Sequence, residues 1–391
     1  MGRPRIKDVA EYAGVSAKTV SNVLNDYEHV SERTRTAVRE AIDALGYRVN
    51  IAGRQLRRGR TGVIALAVPE LDISYFAELA KHVMAEAERR GRTTLLLETG
   101  GRREKELAAV QGFDAQFTDG VVLSPLALRP RDLQDRDTRL PLVLLGECNL
   151  PGSADHVAID NVAAAREATA HLLARGRRRV AVVGGDLRGG LNTGRLRTVG
   201  YTQALAEAGL AVPEELVLPV PAFHWADGAA AARALMRLPR RPDALLCLND
   251  HLALGAVRAL HEDGWSVPGD VDVVGFDDIE ATRYSIPTIT SVAPDKPGIA
   301  RRAVELLLDR IEAGSDGGPA VDETAGHRLV VRESSGGWGA PGPACYRRRG
   351  GRGTGGAEPA SGPPPGALSS PGHGVYNVVK LEPSGSAHDS W

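Results

Sequence analysis

The sequence predicts a small all-α unit followed by an α/β body of two doubly wound lobes, each built on a parallel sheet. Residues 1–47 show helical periodicity, and residues 61–335 alternate continuous apolar runs with helical stretches. Such alternation is typical of parallel sheets that helices cover on both faces. At least eight apolar runs occur in the body, which favours two lobes over a single sheet.

The first 47 residues predict three helices, over 6–13, 17–24 and 32–45. Ser16 and Ser31 stand directly before the second and third helices, where a hydroxyl can accept a hydrogen bond from a free backbone N–H. About 45 residues is near the lower limit for an independent core. We therefore expect this unit to be only marginally stable alone.

A helix-turn-helix is predicted over residues 6–25, IKDVAEYAGVSAKTVSNVLN, because Gly14 tolerates the positive φ of a turn between two short helices. Five residues are expected on the outer face and N-terminal end of the second helix: Ser16, Ala17, Lys18, Ser21 and Asn22. Lys18 can donate to guanine, Asn22 can pair with adenine, and Ala17 can contact a thymine methyl. The pattern indicates a DNA-recognition helix; a solvated polar face on a structural unit is the alternative.

The apolar runs of the body are predicted to be strands, with helices between them. The strands cover residues 62–68, 93–98, 120–124, 142–146, 179–185, 216–220, 243–248 and 271–276. The helices include residues 76–90, 162–175, 199–208, 226–238 and 252–263.

Ligands of open α/β folds bind outside the carboxyl ends of the strands, and polar and aromatic residues gather at those ends here. The candidates for ligand binding are Tyr75, Phe76, Ser124, Asn192, Thr193, Arg197, Phe223, Trp225, Asn249 and Asp277. Planar polar groups can bond hydroxyls while an aromatic ring faces the C–H side of a sugar. This set therefore suits a sugar, although Asn249 and Asp277 could instead cap local structure.

Catalytic apparatus is not evident in the sequence. Residues 184–194, GGDLRGGLNTG, fit neither the dinucleotide-binding nor the Walker pattern, and we interpret them as a cleft-lining loop. No His, Asp or Glu cluster has metal-ligand spacing, and three cysteines are too few for a disulfide framework or a cysteine zinc site. We therefore predict no enzyme activity, no cofactor and no metal.

Charge is distributed unevenly along the chain, although the net charge of the whole is −1. Residues 1–60 carry a net charge of +5, residues 61–335 carry −8, and residues 336–391 carry +2. A basic N-terminal segment is typical of a phosphate-binding surface. Because the sequence has neither a signal-peptide core nor an 18-residue apolar run, we expect a cytoplasmic protein without a membrane partner.

The motif DVAEYAGVSAKTVSNVLN, followed by VSERTRTAVREAIDALGYRVN, resembles the LacI/GalR (lactose-repressor/galactose-repressor) family of bacterial transcription regulators. The resemblance continues to about residue 335, roughly 85% of the chain. Its segments in the body are SYFAEL (74–79), DGVVLSP (119–125), RTVGYTQAL (197–205), LNDHLALGA (248–256) and VVGFDDIE (273–280). The resemblance implies a periplasmic-binding-protein-like clamshell with a small-molecule effector between its lobes.

The resemblance also implies roles in DNA binding. Ala17, Lys18 and Asn22 match the positions that set operator sequence. Further DNA-binding candidates, several of which match positions that dock on phosphates or shape the turn, are Arg5, Ser16, Thr19, Ser21, Asn25, His29 and Ser31. Backbone contacts fix register, whereas base contacts fix sequence, so we expect only the first trio to change specificity.

Residues 50–57 resemble the family's hinge, which becomes helical on DNA and enters the minor groove. Leu56 stands at the position of a leucine that wedges into a base step, and Arg54 and Arg57 supply charge for phosphates. Gly53 departs from the alanine that is common there. Since glycine costs about 1 kcal/mol relative to alanine in a helix, we expect a hinge that is harder to order.

In the body, the positions that match the family's effector contacts are Phe76, Ser124, Arg197, Phe223, Asn249 and Asp277. Glu147 replaces an aspartate that is common in the family, so the resemblance assigns no effector contact at that rim of the pocket. The lobes are expected to interleave, with chain crossings near residues 160, 290 and 322.

The predicted domains are a helix-turn-helix unit (1–47), a hinge (48–60), a two-lobe body for effector binding and dimerisation (61–335) and a tail (336–391). The tail holds 14 Gly and 8 Pro in 56 positions, a composition typical of disorder. It lacks leucine heptads, which favours a homodimer over a tetramer.

These features predict a repressor that reads a pseudo-palindromic double-stranded DNA operator, belongs to a carbohydrate-utilisation operon and responds to a sugar. The alternatives are the same regulator with a nucleobase or protein effector, a sugar-binding protein without gene control, and a cytosolic α/β enzyme.

Overall fold

A computed structural model of the protein describes residues 4–24, 27–47, 60–111, 117–134, 140–146, 154–188, 192–314, 318–336 and 378–380. The chain divides into two compact units, Met1–Gly62 and Val63–Trp391. No helix in the described part of the chain is long and apolar enough to cross a membrane.

The first unit contains helices α1 (Ile6–Tyr12), α2 (Ala17–Leu24) and α3 (Glu32–Leu45), which confirms the three predicted helices. Gly14 lies in the turn between α1 and α2 with φ +64°. The positive φ explains why a glycine occupies this turn.

Both predicted N-caps are confirmed. The Ser16 hydroxyl accepts the Thr19 N–H at 3.0 Å, and the Ser31 hydroxyl accepts the Thr34 N–H at 3.3 Å. One small core joins the three helices through Val9, Ala10, Val20, Val23, Val38 and Ala41. The apolar positions of the three helices therefore meet in this core.

The second unit contains two sheets, which define a first lobe and a second lobe. In the first lobe, the sheet order is β11-β5-β4-β3-β1-β2-β13 and all neighbours are parallel. Its strands are β1 (Val63–Val68), β2 (Thr93–Glu98), β3 (Gly120–Leu123), β4 (Leu142–Leu145), β5 (Asp155–Ile159), β11 (Asp322–Ala325) and β13 (Val378–Lys380). Its helices are α4 (Ser74–Arg89), α5 (Arg103–Val110), α6 (Pro130–Gln134) and α11 (Lys296–Ala313).

In the second lobe, the sheet order is β12-β10-β9-β8-β6-β7, and only the β10–β12 pair is antiparallel. Its strands are β6 (Val180–Val183), β7 (Val217–Leu218), β8 (Ala244–Cys247), β9 (Asp272–Phe276), β10 (Thr290–Pro294) and β12 (His327–Val330). Its helices are α7 (Asn161–Ala174), α8 (Thr193–Glu207), α9 (Trp225–Met236), α10 (Asp250–Glu262) and α12 (Glu333–Gly336). Short 3-10 turns span Glu214–Leu216 and Glu280–Arg283. The predicted fold class is confirmed.

The chain passes between the lobes three times. It leaves the first sheet after β5, leaves the second sheet between β10 and α11, and passes from β11 to β12 at Gly326. Helix α11 then packs in the core of the first lobe with β1 and α4. Each lobe is therefore assembled from separated stretches of the chain.

Five strands were missing from the sequence prediction: β5, β10, β11, β12 and β13. Strand β5 begins with two polar residues, and both are buried by distant partners. Asp155 receives two hydrogen bonds from Arg310, at 2.8 and 2.6 Å, and His156 contacts Asp322 at 2.8 Å. A test of apolar periodicity misses this buried strand because its first two residues are polar.

The predicted tail, residues 336–391, is described at Gly336, which ends α12, and at strand β13. The strand corrects the prediction of disorder for residues 378–380, because its backbone finds a partner in a sheet edge. Strand β13 pairs in parallel with Leu96–Glu98 of β2 and forms the edge of the first sheet. The prediction of disorder for the rest of residues 337–391 concerns residues outside the described part of the chain.

Candidate functional sites

A cavity of about 480 Å³ lies between the two lobes at the carboxyl ends of their strands. Nine of the ten ligand-binding residues predicted from the sequence line it. These are Tyr75, Phe76, Ser124, Asn192, Thr193, Arg197, Phe223, Asn249 and Asp277. The rule that open α/β sheets bind ligands at this edge therefore predicted the location of the cavity.

Trp225 is absent from the lining of the cavity, contrary to its assignment as a ligand-binding residue. It is the first residue of α9, half of its side chain is exposed, and its ring lies edge-to-face with His251 at 5.3 Å. The strand end was identified correctly, but the start of a helix turns this side chain away from its neighbour Phe223.

Among the described residues that line the cavity, Arg197 is the only cation, and it is 6% exposed. Its Nε donates to Asn161 at 2.7 Å, and Nη1 donates to the Leu248 carbonyl. The guanidinium carbon lies 3.5 Å from the centre of the Phe276 ring. Because two of its nitrogens are held and one face is stacked, the orientation of the remaining Nη2 is fixed towards Asp277, 3.9 Å away.

Asp277 follows β9 in a backbone conformation that non-glycine residues rarely adopt. Its φ is +105°, and that of Asp278 is +46°; such conformations cost on the order of 1–3 kcal/mol each and persist only where the surroundings hold them. Asp250 supplies part of that support, since its carboxylate accepts the Ile279 N–H at 2.9 Å and the Ser291 hydroxyl at 2.7 Å. Burial, and then the charge of Asp277, raises the pKa of Asp250.

Asn249 and Asn192 each line the cavity and also cap a helix. The Asn249 Oδ1 accepts the Leu252 N–H at 2.8 Å, and its Nδ2 donates to the Phe223 carbonyl at 2.9 Å. The Asn192 Oδ1 accepts the Arg195 N–H at 2.8 Å. The capping role and the cavity position are thus compatible, and the caps fix both amides at the cavity wall.

Several lining residues were not predicted from the sequence. Glu70 and Asp186 add carboxylates, and a wall of apolar residues includes Ile73, Leu126 and Ile159. Both carboxylates come shortly after a strand, β1 or β6, so the strand-end rule could have found them. The interpretation of residues 184–194 as a cleft-lining loop agrees with the presence of Gly184, Gly185 and Asp186 in the lining.

Glu70, Asp72 and His224 place one potential metal-ligand atom each within 4.8 Å of one another. Glu70 and His224 are already in contact, at 3.1 Å from Oε2 to Nε2, and Asp72 is exposed. The contact joins the end of β1 in the first lobe to the start of α9 in the second. We interpret it as an interaction between the lobes.

Six of the residues predicted for DNA binding lie in helix α2 or directly before it. Lys18 and Ser16 are exposed, whereas Ser21 and Asn22 are half-buried. Ala17, the first residue of α2, was expected on the outer face, but it packs partly against the core of the first unit. Thr19 shares a hydrogen bond of 2.8 Å with Ser16.

Three further candidates, Arg5, His29 and Ser31, are exposed, and His29 lies edge-to-face with Tyr27 at 5.4 Å. Four other predicted DNA-binding residues lie outside the described residues: Asn25, Arg54, Leu56 and Arg57. Glu147, at the predicted rim of the pocket, also lies outside them.

Comparison with known proteins finds matches to both units of the chain. A family model described as bacterial regulatory proteins of the lacI family matches residues 5–50, and a periplasmic binding protein-like domain matches residues 169–335. The HTH-type transcriptional repressor PurR of Vibrio campbellii is 32% identical over 309 residues, which are 78% of this chain and 92% of the relative. The chain belongs to the LacI family.

Solved structures of LacI-family members share the fold. A transcriptional regulator CelR–cellobiose complex is 34% identical with a TM-score of 0.62, and the match covers 85% of this chain and 100% of that one. The lac repressor dimer bound to operator and the anti-inducer ONPF is 26% identical with a TM-score of 0.75, over 86% of this chain and 100% of that one. This LacI-family protein is a DNA-binding transcriptional repressor and not an enzyme, in agreement with the sequence prediction.

Proposed function

We propose that this LacI-family repressor binds a pseudo-palindromic operator as a homodimer and changes its operator affinity when an uncharged sugar binds between the lobes. The observation that carries the proposal is the cavity, where the planar polar groups of Arg197, Asn249 and Asp277 share the lining with three aromatic rings. Such a combination suits hydroxyls on one side of a ring and C–H groups on the other. Because an operator in a bacterium lies in the cytoplasm, we place the protein there.

Charge supports an uncharged effector. In the described part of the lining, Glu70, Asp186 and Asp277 supply three carboxylates, against the single guanidinium of Arg197. An anion such as a sugar phosphate would meet net repulsion, since like charges raise the cost of binding in a partly desolvated site. The CelR relative was solved with cellobiose, a neutral sugar, which supports the same class.

A nucleobase is the second candidate effector, because the PurR repressors are 32% identical over 78% of the chain. A thermal-shift screen of the full chain against glucose, galactose, cellobiose, hypoxanthine and guanine separates the two classes. A ligand that binds the folded state raises its stability in proportion to ln(1 + [L]/Kd). We expect a sugar to raise the Tm, and a rise with the nucleobases alone would contradict the sugar proposal.

The matched variants are Arg197→Met and Arg195→Met. Both residues lie on α8, but only Arg197 lines the cavity. We expect Arg197→Met to abolish the sugar-induced shift and Arg195→Met to retain it. Loss of the shift in both variants would mean that the helix was perturbed and not the site.

For DNA binding, the proposal assigns base contacts to Ala17, Lys18 and Asn22 and assigns a minor-groove wedge to Leu56. Selection of bound sequences from a random pool yields the operator, and paired heads should require half-sites about 34–36 Å apart. We expect Asn22→Ser to change the selected bases, whereas Lys7→Gln on the exposed face of α1 preserves them. Leu56→Ala is expected to weaken operator binding without altering sugar affinity; unchanged operator affinity would reject the wedge.

A further inference from the structure

Lys296 is buried where the chain crosses from the second lobe back to the first. It is the first residue of α11, and 7% of it is exposed. Its Nζ donates to the backbone carbonyls of Asp277, at 2.7 Å, and Asp278, at 3.1 Å. The same atom forms a close ion pair with Glu78. An ammonium has three N–H donors, so this lysine has an acceptor for each.

The two carbonyls belong to the turn that carries Asp277 into the cavity. Both residues of the turn have positive φ, +105° and +46°, and neither is a glycine. Asp250 holds the amide side of this turn through the Ile279 N–H. Lys296 holds the carbonyl side, where two oxygens converge on one ammonium. The turn is therefore clamped from opposite sides, and only one clamp is connected to the other lobe.

That connection is Glu78, which lies on α4 of the first lobe. One carboxylate oxygen pairs with Lys296, and the other accepts the Glu280 N–H of the second lobe at 2.8 Å. Helix α4 also supplies Tyr75 and Phe76 to the cavity lining. A movement of α4 relative to the second lobe would therefore act on the ligand-facing rings and on the clamp together.

We propose that Lys296 is a positioning residue of the cavity, which sets the direction of the Asp277 carboxylate and, through Glu78, makes that direction depend on the arrangement of the lobes. The inference rests on the proposed effector site and adds the means by which that site responds to the lobes. Lys296 itself does not line the cavity, so it acts on an effector through Asp277. Two arrangements of a linked element are what allows binding at one site to bias another.

The first test needs no effector. Amide hydrogen exchange is measured on the full chain for residues 277–284, in Lys296→Met and in Lys81→Met, which changes an exposed lysine of α4. We expect exchange of 277–284 to accelerate several-fold in Lys296→Met only, and the amides of β8 to keep their protection. Unchanged exchange of 277–284 in Lys296→Met would overturn the proposal. General acceleration through β8 would overturn it too, because the lysine would then support the whole lobe.

The second test measures the Kd for cellobiose; the operator from the selection described above is used in the third test, with Glu78→Gln. We expect Lys296→Met to raise the Kd for cellobiose at least about fivefold, within the range of site-to-site coupling in proteins. Lys296→Arg, which keeps the charge and several donors, is expected to recover part of the affinity. An unchanged Kd in Lys296→Met would reject the positioning role.

Glu78→Gln separates positioning from communication. We expect this variant to bind cellobiose nearly as the parent does, but to show a smaller cellobiose-induced change in operator affinity; Glu88→Gln, an exposed neighbour on α4, is the control. Equal changes in both variants would overturn the link between lobes. If neither cellobiose nor any ligand of the screen binds the parent, the proposed effector class fails, whereas the exchange experiment still decides the role of Lys296.

Discussion

Buried polar side chains fix the geometry of the cavity, and their partners are distant in sequence. Arg197 is oriented by Asn161, and His251 of the second lobe meets Ser74 of the first. The Ser74 N–H donates to the His251 Nε2 at 3.3 Å, which requires an unprotonated nitrogen there. Burial, together with the neighbouring His224, lowers the pKa of His251. Protonation of the His251 ring would therefore remove a hydrogen bond between the lobes.

We expect acid to weaken the second unit through His251. Its pKa is lowered in the folded state, so the unfolded chain binds the proton first as the pH falls below about 6.5, and stability is lost from there downward. The Tm of the full chain is compared at pH 7.5 and 5.5 in the parent and in His251→Gln. The parent should lose more Tm than the variant, since glutamine can accept the Ser74 N–H without titrating.

The control for this comparison is His261→Gln, an exposed position on the same helix. It should lose as much Tm as the parent does, because other titrating groups are common to all three proteins. An equal loss in His251→Gln would show that His251 does not carry the acid sensitivity.

The N-cap of α3 gives a prediction for the first unit. Ser31→Ala removes the acceptor of the Thr34 N–H and should cost about 1 kcal/mol, equivalent to about fivefold faster amide exchange within Glu32–Leu45. Ser31→Asp retains an acceptor and should restore slow exchange. Equal exchange in the parent and Ser31→Ala would mean that the cap contributes nothing measurable.

At the scale of elements, glycines allow the helix pairs of the second lobe to cross closely. A Cβ on Gly255 of α10 would lie 1.9 Å from the Trp225 carbonyl oxygen, and one on Gly228 of α9 would lie 2.1 Å from the Leu252 oxygen. On the opposite side of the sheet, Gly200 of α8 approaches the Val162 oxygen of α7 in the same way. The close approach sets the positions of Trp225 and Asn249 at the starts of α9 and α10.

Gly255→Ala should therefore destabilise the second unit by about 1–3 kcal/mol or more, because backbone and not a flexible side chain must move. Urea unfolding of the full chain, followed by far-UV circular dichroism, measures the loss. Gly326→Ala is the control, since a Cβ there meets nothing within 4 Å. Equal midpoints for the two variants would contradict the importance of the crossing.

Sequence periodicity predicted most elements and failed where polarity is buried. The strands that it found, such as Val63–Val68 and Gly120–Leu123, are apolar on both faces. Strand β5 escaped because Asp155 pairs with Arg310, 155 residues away, and no local rule reports such a partner. The same limit explains Trp225: a strand end can be located from sequence, but the direction of each side chain after it depends on how the next helix packs.

At the scale of the whole molecule, the uneven charge separates two tasks. Residues 1–60 carry +5, and residues 61–335 carry −8. Phosphate contacts release counterions, so operator affinity should depend on salt through the first segment, while the acidic body discourages other contacts with DNA.

Arg5→Gln tests this division. The logarithm of the observed operator affinity falls linearly with the logarithm of the salt concentration, with a slope of about 0.9 for each phosphate contact. This variant should therefore lose about one such contact's share of the slope. Operator titrations between about 50 and 200 mM salt measure the slope, because the affinity changes strongly over that range. Arg131→Gln, at an exposed position of the body, should leave the slope unchanged; an equal decrease in that variant would contradict the division.

The three crossings between the lobes also set an order for folding during synthesis. The first lobe begins at β1, yet its core includes Ile299, Val304 and Leu307 of α11, and its sheet includes β11 at residues 322–325. A nascent chain therefore carries the apolar face of β1 and α4 uncovered while more than 200 residues are added, a span that follows from their positions in the sequence. Most of the second lobe emerges from the ribosome within that interval. The first lobe therefore completes its fold only after most of the second lobe has been synthesised, and we expect chaperones to bind it during that interval.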